Sequence, residues 1–412
     1  MSKKVAILHY SYPPVTGGVE TVIRGQALTL SREGHQVRVI TGEGKEDNRQ
    51  IEIRLIPQIS STHPENLRIR KELGRGEVSP RFHHLEKRLY RWVEEALKDQ
   101  EVCLIHNVMT MPFNLALTGA LSRIITQLNG KIKFYAWCHD AIFLNPSYFK
   151  VIFNPEKYPW RLLRQRVNSL GYVTISAFRQ RQLADLLAVL PEAIEVVPNG
   201  LDVQNFLGIS PAVWRLVRDR EILKDDLVMF FPSRILRRKN YELGIKIVKE
   251  IENLGKSCKF LITGPADPHN PDSENYFQEL SDLCHRLGIE KNVLFLQSLR
   301  EKYGLKLNFS EVRDFYVLSD LLLITSSDEG FGLPLLEAGV SRIPVVCAES
   351  GPFPEIGGSN VLYFEPDESL SSIARRILNF VDSQPTVSFF KRVIAGYSWE
   401  VIYQNYLKKL IE

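Results

Sequence analysis

Thr325-Ser-Ser-Asp-Glu-Gly-Phe-Gly-Leu-Pro-Leu-Leu-Glu-Ala338 follows an apolar run, Leu321 to Ile324. Together they read as a buried parallel strand that turns into a helix. Gly330 and Gly332 let the backbone turn sharply and come close to a ligand. Pro334 stands where the first turn of a helix tolerates it best. A strand, a glycine turn and a helix N-terminus present free N–H groups and a positive dipole end to an anion. Glu329 precedes the turn and Glu337 lies inside the helix, so two carboxylates frame it. A phosphate-bearing sugar fits such a place, with amides for its phosphate oxygens and carboxylates for its hydroxyls. The plain alternative is a Rossmann-type crossover in which Glu337 only favours the helix dipole.

Two further turns belong with this one. Strand Leu227–Phe231 runs into Pro232-Ser-Arg234-Ile-Leu-Arg-Arg-Lys239-Asn240, and a helix starts at Tyr241 with Asn240 as its expected N-cap. Arg234 offers a planar fork for phosphate oxygens and Lys239 a point charge, an arrangement that suits a diphosphate. An exposed basic loop is the alternative. After strand Phe260–Thr263, Gly264 permits close backbone approach. With a helix near residues 274–287 and strand Val293–Leu296, these elements form one α/β unit.

The first half of the chain reads the same way. Strand Val5–Leu8, a Pro- and Gly-rich loop, a helix from Val19 closed by Gly34, and a strand through Val37, Val39 and Ile40 make a βαβ unit. Gly17-Gly18 stands where a dinucleotide-binding chain would carry G-x-G-x-x-G. Strands are expected again at Val102–His106, Lys133–Trp137, Tyr172–Ile175 and Ile194–Pro198. His139 follows the strand ending at Trp137, at the carboxyl edge where α/β proteins bind ligands, although a lone histidine there is more often structural. The boundary between the halves is placed at Pro198, giving domains 1–198 and 199–396.

Length and composition set the outer limits. At 412 residues two domains are the default, and 44% hydrophobic with 24% charged residues allows a full core. A net charge of +4 makes no case for nucleic acid. Five cysteines without C-x-x-C spacing suggest a reducing compartment and no structural zinc. Lys3 and Lys4 precede an apolar run too short for a signal peptide, and no later stretch approaches a membrane span. The expectation is a soluble, cytoplasmic protein, with peripheral contact to a membrane surface left open. No D-x-D, H-E-x-x-H or G-x-S-x-G occurs, and Glu250 spoils the one approximation to a P-loop, before Gly255-Lys256-Ser257. No metal and no bound cofactor are therefore expected.

Other segments are less legible. Residues 57–80 read as irregular and polar, and 203–224 as a loose polar connection. A helix near 83–98 buries Leu85, Leu89, Trp92, Val93 and Ala96. Its Lys87, Arg88, Arg91 and Lys98, with Arg68, Arg70, Lys71, Arg75 and Arg81, form the most basic surface, either a solvated face or a dock for an anionic acceptor or lipid headgroups. Residues 300–312 look like a charged insertion. The chain closes with an amphipathic helix, Trp399 to Ile411, with Trp399, Ile402, Tyr406, Leu407 and Leu410 on its apolar side.

These motifs, in this order, resemble the retaining glycosyltransferases of family 4, the glycosyl transferases group 1 with the GT-B fold. The residues that carry the resemblance are Glu329-Gly-Phe-Gly-Leu-Pro-Leu-Leu-Glu337, Pro13-Pro-Val-Thr-Gly-Gly-Val-Glu20, Cys138-His-Asp140, Val197-Pro-Asn-Gly200, Ser233-Arg234 with Lys239-Asn240, and the Trp399 helix. The resemblance implies an α/β fold of two Rossmann-like domains whose parallel sheets face a central cleft, with the last helix (397–412) crossing back to the first domain. It implies a nucleotide-sugar, UDP-, GDP- or ADP-hexose, as co-substrate, and a hydroxyl acceptor that is a sugar, a small molecule or lipid-linked. Arg234 and Lys239 would hold the diphosphate, with Gly264 close to the donor, and Glu337 the ribose. Glu329 and the amides of Phe331, Gly332 and Leu333 would hold the donor sugar, glucose or mannose. His139 would contact that sugar near the reacting centre, and Gly17-Gly18 the phosphates or acceptor. Retention is expected by a front-face path in which the leaving phosphate takes the acceptor's proton. Gln297 stands where the family has glycine, and 300–312 is longer than its common turn, so the base is open. The acceptor is expected at loops 57–80 and 140–165, where Tyr148, Phe149, Phe153, Tyr158 and Trp160 cluster. A non-catalytic sugar-nucleotide binder and an NAD(P)-dependent oxidoreductase are the alternatives.

Overall fold

The computed structural model describes residues 2–45, 50–144, 153–264, 272–365 and 367–412. Its contacts divide the chain into Met1–Asp202 with Gly396–Glu412, and Val203–Ala395. Each unit is a parallel sheet covered by helices, the pair of Rossmann-like units that make up the GT-B architecture.

In the first unit the strands are β1 (Lys4–His9), β2 (Gln36–Thr41), β3 (Ile51–Leu55), β4 (Val102–His106), β5 (Lys133–Cys138), β6 (Leu170–Thr174) and β7 (Ile194–Val196), in the order β3-β2-β1-β4-β5-β6-β7. Val5, Ile7, Val102 and Leu104 pack on one face of this sheet, and Ala6, Leu8, Cys103 and Ile105 on the other. That is why these strands read as unbroken apolar runs, since a parallel strand is buried on both sides. Helix α1 (Gly18–Arg32) lies over the first face, and α2 (Pro64–Leu73) and α3 (Pro80–Ala96) over the second.

In the second unit β8 (Leu227–Phe231), β9 (Cys258–Ile262), β10 (Val293–Phe295), β11 (Leu321–Ile324), β12 (Val345–Ala348) and β13 (Leu362–Phe364) run β10-β9-β8-β11-β12-β13. Strand order reverses at β1/β4 and at β8/β11, and at such switch points the loops diverge and leave room for a ligand beyond the carboxyl ends.

Several segments differ from their sequence reading. Residues 57–80 contain α2, which buries only Asn66, Ile69 and Leu73, so almost no periodic apolar signal marks it. Asn66 instead donates to the carbonyl of Phe113 at 2.7 Å. Within 203–224 lies a helix, Pro211–Asp219, capped by Ser210 and anchored by Val213, Leu216 and Val217. Residues 300–312 are not a free insertion, because Tyr303 and Leu305 enter the core and Glu311 is 5% exposed. The Glu311 carboxylate accepts from the amides of Lys306 (2.7 Å) and Leu307 (2.6 Å) and so closes that loop upon itself. Asn240 occupies the N-cap position but with φ +50, and its side chain makes no capping bond.

The final helix packs on the first unit through Trp399, Ile402, Tyr403, Leu407, Leu410 and Ile411. A π-turn at Tyr403–Leu407 widens the repeat, so Tyr403 is buried as well, while Tyr406 packs partly buried against the same cluster. Tyr403 Oη then lies 2.9 Å from His35 Nε2, and Tyr135 donates to the carbonyl of Leu410 at 3.0 Å. The Trp399 ring is clamped between two glycines. A Cβ on Gly25 would lie 2.1 Å from its Nε1, and one on Gly200 would lie 2.3 Å from its Cδ2.

The clamp makes Gly25→Ala destabilising despite its better helix propensity. Propensity gains about 1 kcal/mol, whereas over-packing a ring held on both sides costs about 1–3 kcal/mol. Trp399→Ala should cost about 3–5 kcal/mol through the cavity it opens. Denaturant unfolding followed by far-UV circular dichroism should show both midpoints lowered, and a raised midpoint for Gly25→Ala would show that the ring can retreat.

Candidate functional site

In the second unit the turns after β8 and β11 are stitched together. Thr325 Oγ1 donates to the carbonyl of Lys239 (2.9 Å), and the amide and hydroxyl of Ser327 both reach the carbonyl of Arg238 (2.9 and 3.2 Å). Lys239 is 5% exposed, and its ammonium lies 2.5 Å from Glu329 Oε2. Arg238 Nη1 reaches the same oxygen at 3.2 Å. One carboxylate thus neutralises half of two cations, and the turn keeps a net positive charge. Gly264, after β9, closes on this basic turn, since a Cβ there would lie 2.6 Å from the carbonyl oxygen of Ser233. Arg234 is exposed on the same turn, whose backbone is braced by Tyr241 Oη bonds to the carbonyls of Ser233 and Arg234 (3.0 and 3.1 Å).

The glycine turn feeds helix Leu333–Ser341, with Pro334 in its first turn. Gly332 has φ +97, and a Cβ there would meet the Phe353 ring at 2.8 Å, so glycine is required on both counts. The amides of Phe331, Gly332 and Leu333 have no partner among the described residues, the usual state of a helix N-terminus awaiting an anion or water. Glu337 accepts from Tyr316 Oη at 2.6 Å, and burial together with this carboxylate pushes the Tyr316 hydroxyl far above its ordinary range. Arg234, Lys239, Gly264, Glu329, Phe331, Gly332, Leu333 and Glu337 therefore all belong to this one unit.

His139, Gly17 and Gly18 belong to the other. There, His9 and His106 end the neighbouring strands β1 and β4, and His139 follows β5 by one residue. His106 Nδ1 lies 2.9 Å from His139 Nε2, and His106 Nε2 lies 3.0 Å from Gln26 Oε1 on α1. His9 Nδ1–H donates to the carbonyl of His106 at 2.9 Å. Asn107 Oδ1 accepts from the amides of His139 and Asp140, fixing the loop that carries the ring. Burial drives His139 down to about 3, helped by the His9 ring, and drives His106 well below its usual value. Both are neutral imidazoles near pH 7.

Gly17 and Gly18 open α1. The Glu20 carboxylate fills the space where a Gly17 Cβ would stand, with Oε2 2.0 Å from that point. Ser11 donates to Glu20 at 2.6 Å and His9 Nε2 lies 3.7 Å away. The His9 ring first, then the Ser11 bond, hold this carboxyl at about 2. The glycine loop and His139 are thus joined through Glu20, His9 and His106.

Sequence reading missed Arg238, His9, His106, Gln26 and Tyr316. A histidine at the carboxyl end of two adjacent strands was the available signal for His9 and His106, whereas Gln26 looks like any helix residue. The basic surface on α2 and α3 is partly paired, Arg88 with Glu65 and Arg81 with Glu72, and Arg88 lies over the Trp92 ring at 5.4 Å. Tyr148 and Phe149 lie outside the described residues. Phe153 sits over Gly76, so the segments 57–80 and 153–165 meet there.

Comparison with known proteins places these turns in a family. Residues 16–205 match the family model described as Glycosyltransferase Family 4, and residues 213–392 the model described as Glycosyl transferases group 1. The mannosylglucosylglycerate synthase of Thermotoga maritima is 23% identical over 369 residues, spanning 84% of this chain and 80% of that protein. The D-inositol 3-phosphate glycosyltransferase of Corynebacterium glutamicum is 26% identical, over 58% of this chain and 55% of its own length. The solved structure of Anabaena Alr3699/HepE with UDP and glucose is 19% identical over 99% of both chains with a TM-score of 0.34. With one family model on each unit, the chain belongs to the group 1 glycosyl transferases, and its chemistry is sugar transfer.

Proposed function

We propose that the protein moves a hexose from a nucleoside-diphosphate sugar to a hydroxyl acceptor, with retention of anomeric configuration and without a metal ion. The observation that carries this reading is the Lys239–Glu329–Arg238 cluster set against the unpartnered amides of Phe331, Gly332 and Leu333. A diphosphate brings negative charge, and a buried ammonium, an exposed guanidinium and a helix N-terminus answer it together. In this reading Arg234 and Lys239 take the diphosphate, Glu337 the ribose, and Glu329 with the three amides the sugar hydroxyls. UDP, GDP and ADP remain equal as donors. Glucose and mannose both stand as the hexose, and the name of the Thermotoga relative carries both.

Retention is what the family resemblance implies, and the engagement of the two carboxylates favours a front-face path over a covalent intermediate. Oε2 of Glu329 is engaged by two cations and Oε2 of Glu337 by Tyr316, which suits each to accept hydrogen bonds and neither to attack carbon. In the front-face path the bond from anomeric carbon to phosphate oxygen breaks while the acceptor oxygen bonds the same face. The acceptor's proton passes to the departing phosphate.

Lys239→Ala and Arg234→Ala should each lower kcat/KM by about 2 kcal/mol of transition-state stabilisation or more, roughly thirtyfold. Steady-state kinetics with unchanged kcat/KM in both variants would remove the diphosphate assignment. Transfer should also continue undiminished in EDTA. A strict need for added Mn or Mg would show that the cluster at 238–239 does not carry the leaving group's charge alone.

A further inference from the structure

The buried polar chain Gln26–His106–His139 has a direction, and that direction sets what His139 can do. Gln26 and His106 are both 0% exposed. A neutral imidazole carries one N–H, so each ring donates through one nitrogen and accepts through the other. His106 lies between Gln26 on its Nε2 side and His139 on its Nδ1 side, and can therefore point its proton one way only.

Which way depends on the Gln26 amide, whose oxygen and nitrogen are told apart only by their partners. With Oε1 against His106, both N–H groups of Gln26 Nε2 are buried without a partner. Turning the amide over gives one of those N–H groups to His106 Nε2 and leaves the carbonyl oxygen in the vacant corner. Unpaired buried N–H groups are rarer than under-satisfied carbonyls, so the turned amide is the better arrangement. His106 Nε2 is then bare, its proton sits on Nδ1, and it donates to His139 Nε2. His139 must in turn hold its own proton on Nδ1, the nitrogen with no protein partner among the described residues.

We infer that Gln26, acting through His106, fixes His139 as a neutral imidazole with its proton on Nδ1, so that His139 meets its ligand as a hydrogen-bond donor and not as a base. Gln26 and His106 are positioning residues. The groups around the chain agree. His9 donates its Nδ1–H to the His106 carbonyl, Glu20 faces His9, and Asp140 Oδ1 turns away to Ala141 and Arg179. None of these carboxylates bonds His139, and the pull of the Glu20 charge on it is outweighed by burial. The role, though not the tautomer, rests on the sugar-transfer reading above. A donor at Nδ1 can bond a hydroxyl or phosphate oxygen of the sugar nucleotide but cannot take the acceptor's proton, which leaves the departing phosphate to do so.

The test is long-range 1H–15N spectroscopy of the full chain labelled with 15N-histidine, with His106→Asn and His139→Asn assigning the two rings. The expected spectrum has a protonated Nδ1 and a bare Nε2 in both. His139 protonated on Nε2, or on both nitrogens, would overturn the inference. Gln26→Met, which fills the same volume without a donor, should give mixed tautomers and about a tenfold loss of kcat with donor affinity changed by no more than about twofold. An unchanged tautomer with unchanged kcat would also overturn it. If Gln26→Met does not fold, the wild-type spectrum decides alone. A protonated Nδ1 in a chain that transfers no sugar would leave this inference standing and remove the transferase reading, whereas transfer with a protonated Nε2 would do the reverse.

Discussion

A buried ammonium is unstable without a counter-charge, and the second unit is arranged around that fact. Lys239 leaves water almost completely, and stripping one partner from such a pair typically costs about 3–5 kcal/mol. Its carboxylate, Glu329, comes from the turn after β11, while Lys239 comes from the turn after β8. Those strands are neighbours at the point where strand order reverses, so the ion pair and the backbone bonds beside it hold two diverging loops in one register. The glycine turn, the helix it opens and the basic turn are thereby set against each other. Arg238 on the same carboxylate oxygen leaves the cluster positive overall.

The first unit handles buried polarity by another route. There His106 and His139 stand at the strand edge in place of opposite charges, and burial keeps these two neutral while a hydrogen bond orders them. The cost of dehydration falls on charged forms, so a chain of neutral rings can sit deep beneath a strand edge where a lysine could not sit unpaired. At the edge of this chain the Glu20 carboxylate faces His9 and accepts from Ser11 next to the glycine loop. An arrangement of this kind transmits direction: once one amide is oriented, each ring has a single remaining place for its proton.

Both strategies were unevenly visible in the sequence. Leu227–Phe231, Leu321–Ile324 and Val102–His106 were legible to the residue because a strand buried on both faces has no polar interruption. Helix α2 was not, since its hold on the unit is Ile69, Leu73 and an asparagine that bonds a distant carbonyl. Glu311 reads in the sequence as part of a charged insertion, and only the fold shows it turned inward to close its own loop. Lys239 and Glu329 could be named separately from their turns, but their pairing joins residues 90 apart in the chain, and no local pattern encodes it. Gln26 left no trace at all, because its meaning depends wholly on what lies beneath α1.

The pairing also changes how Glu329 should be understood. A carboxylate flanked by a lysine and an arginine has its charge already spent on them, and attack on an anomeric carbon would have to break both contacts. On the reading proposed here, a diphosphate draws Lys239 toward its own oxygens, and Glu329 is released only in part because Arg238 still holds it. The freed share of its hydrogen-bonding capacity then falls to sugar hydroxyls, which need an acceptor and not a nucleophile. One ion pair can in this way stabilise the empty turn and hand each of its halves to a different part of the donor. The site needs no residue held in reserve for the transfer step, because the leaving phosphate is itself the base that remains.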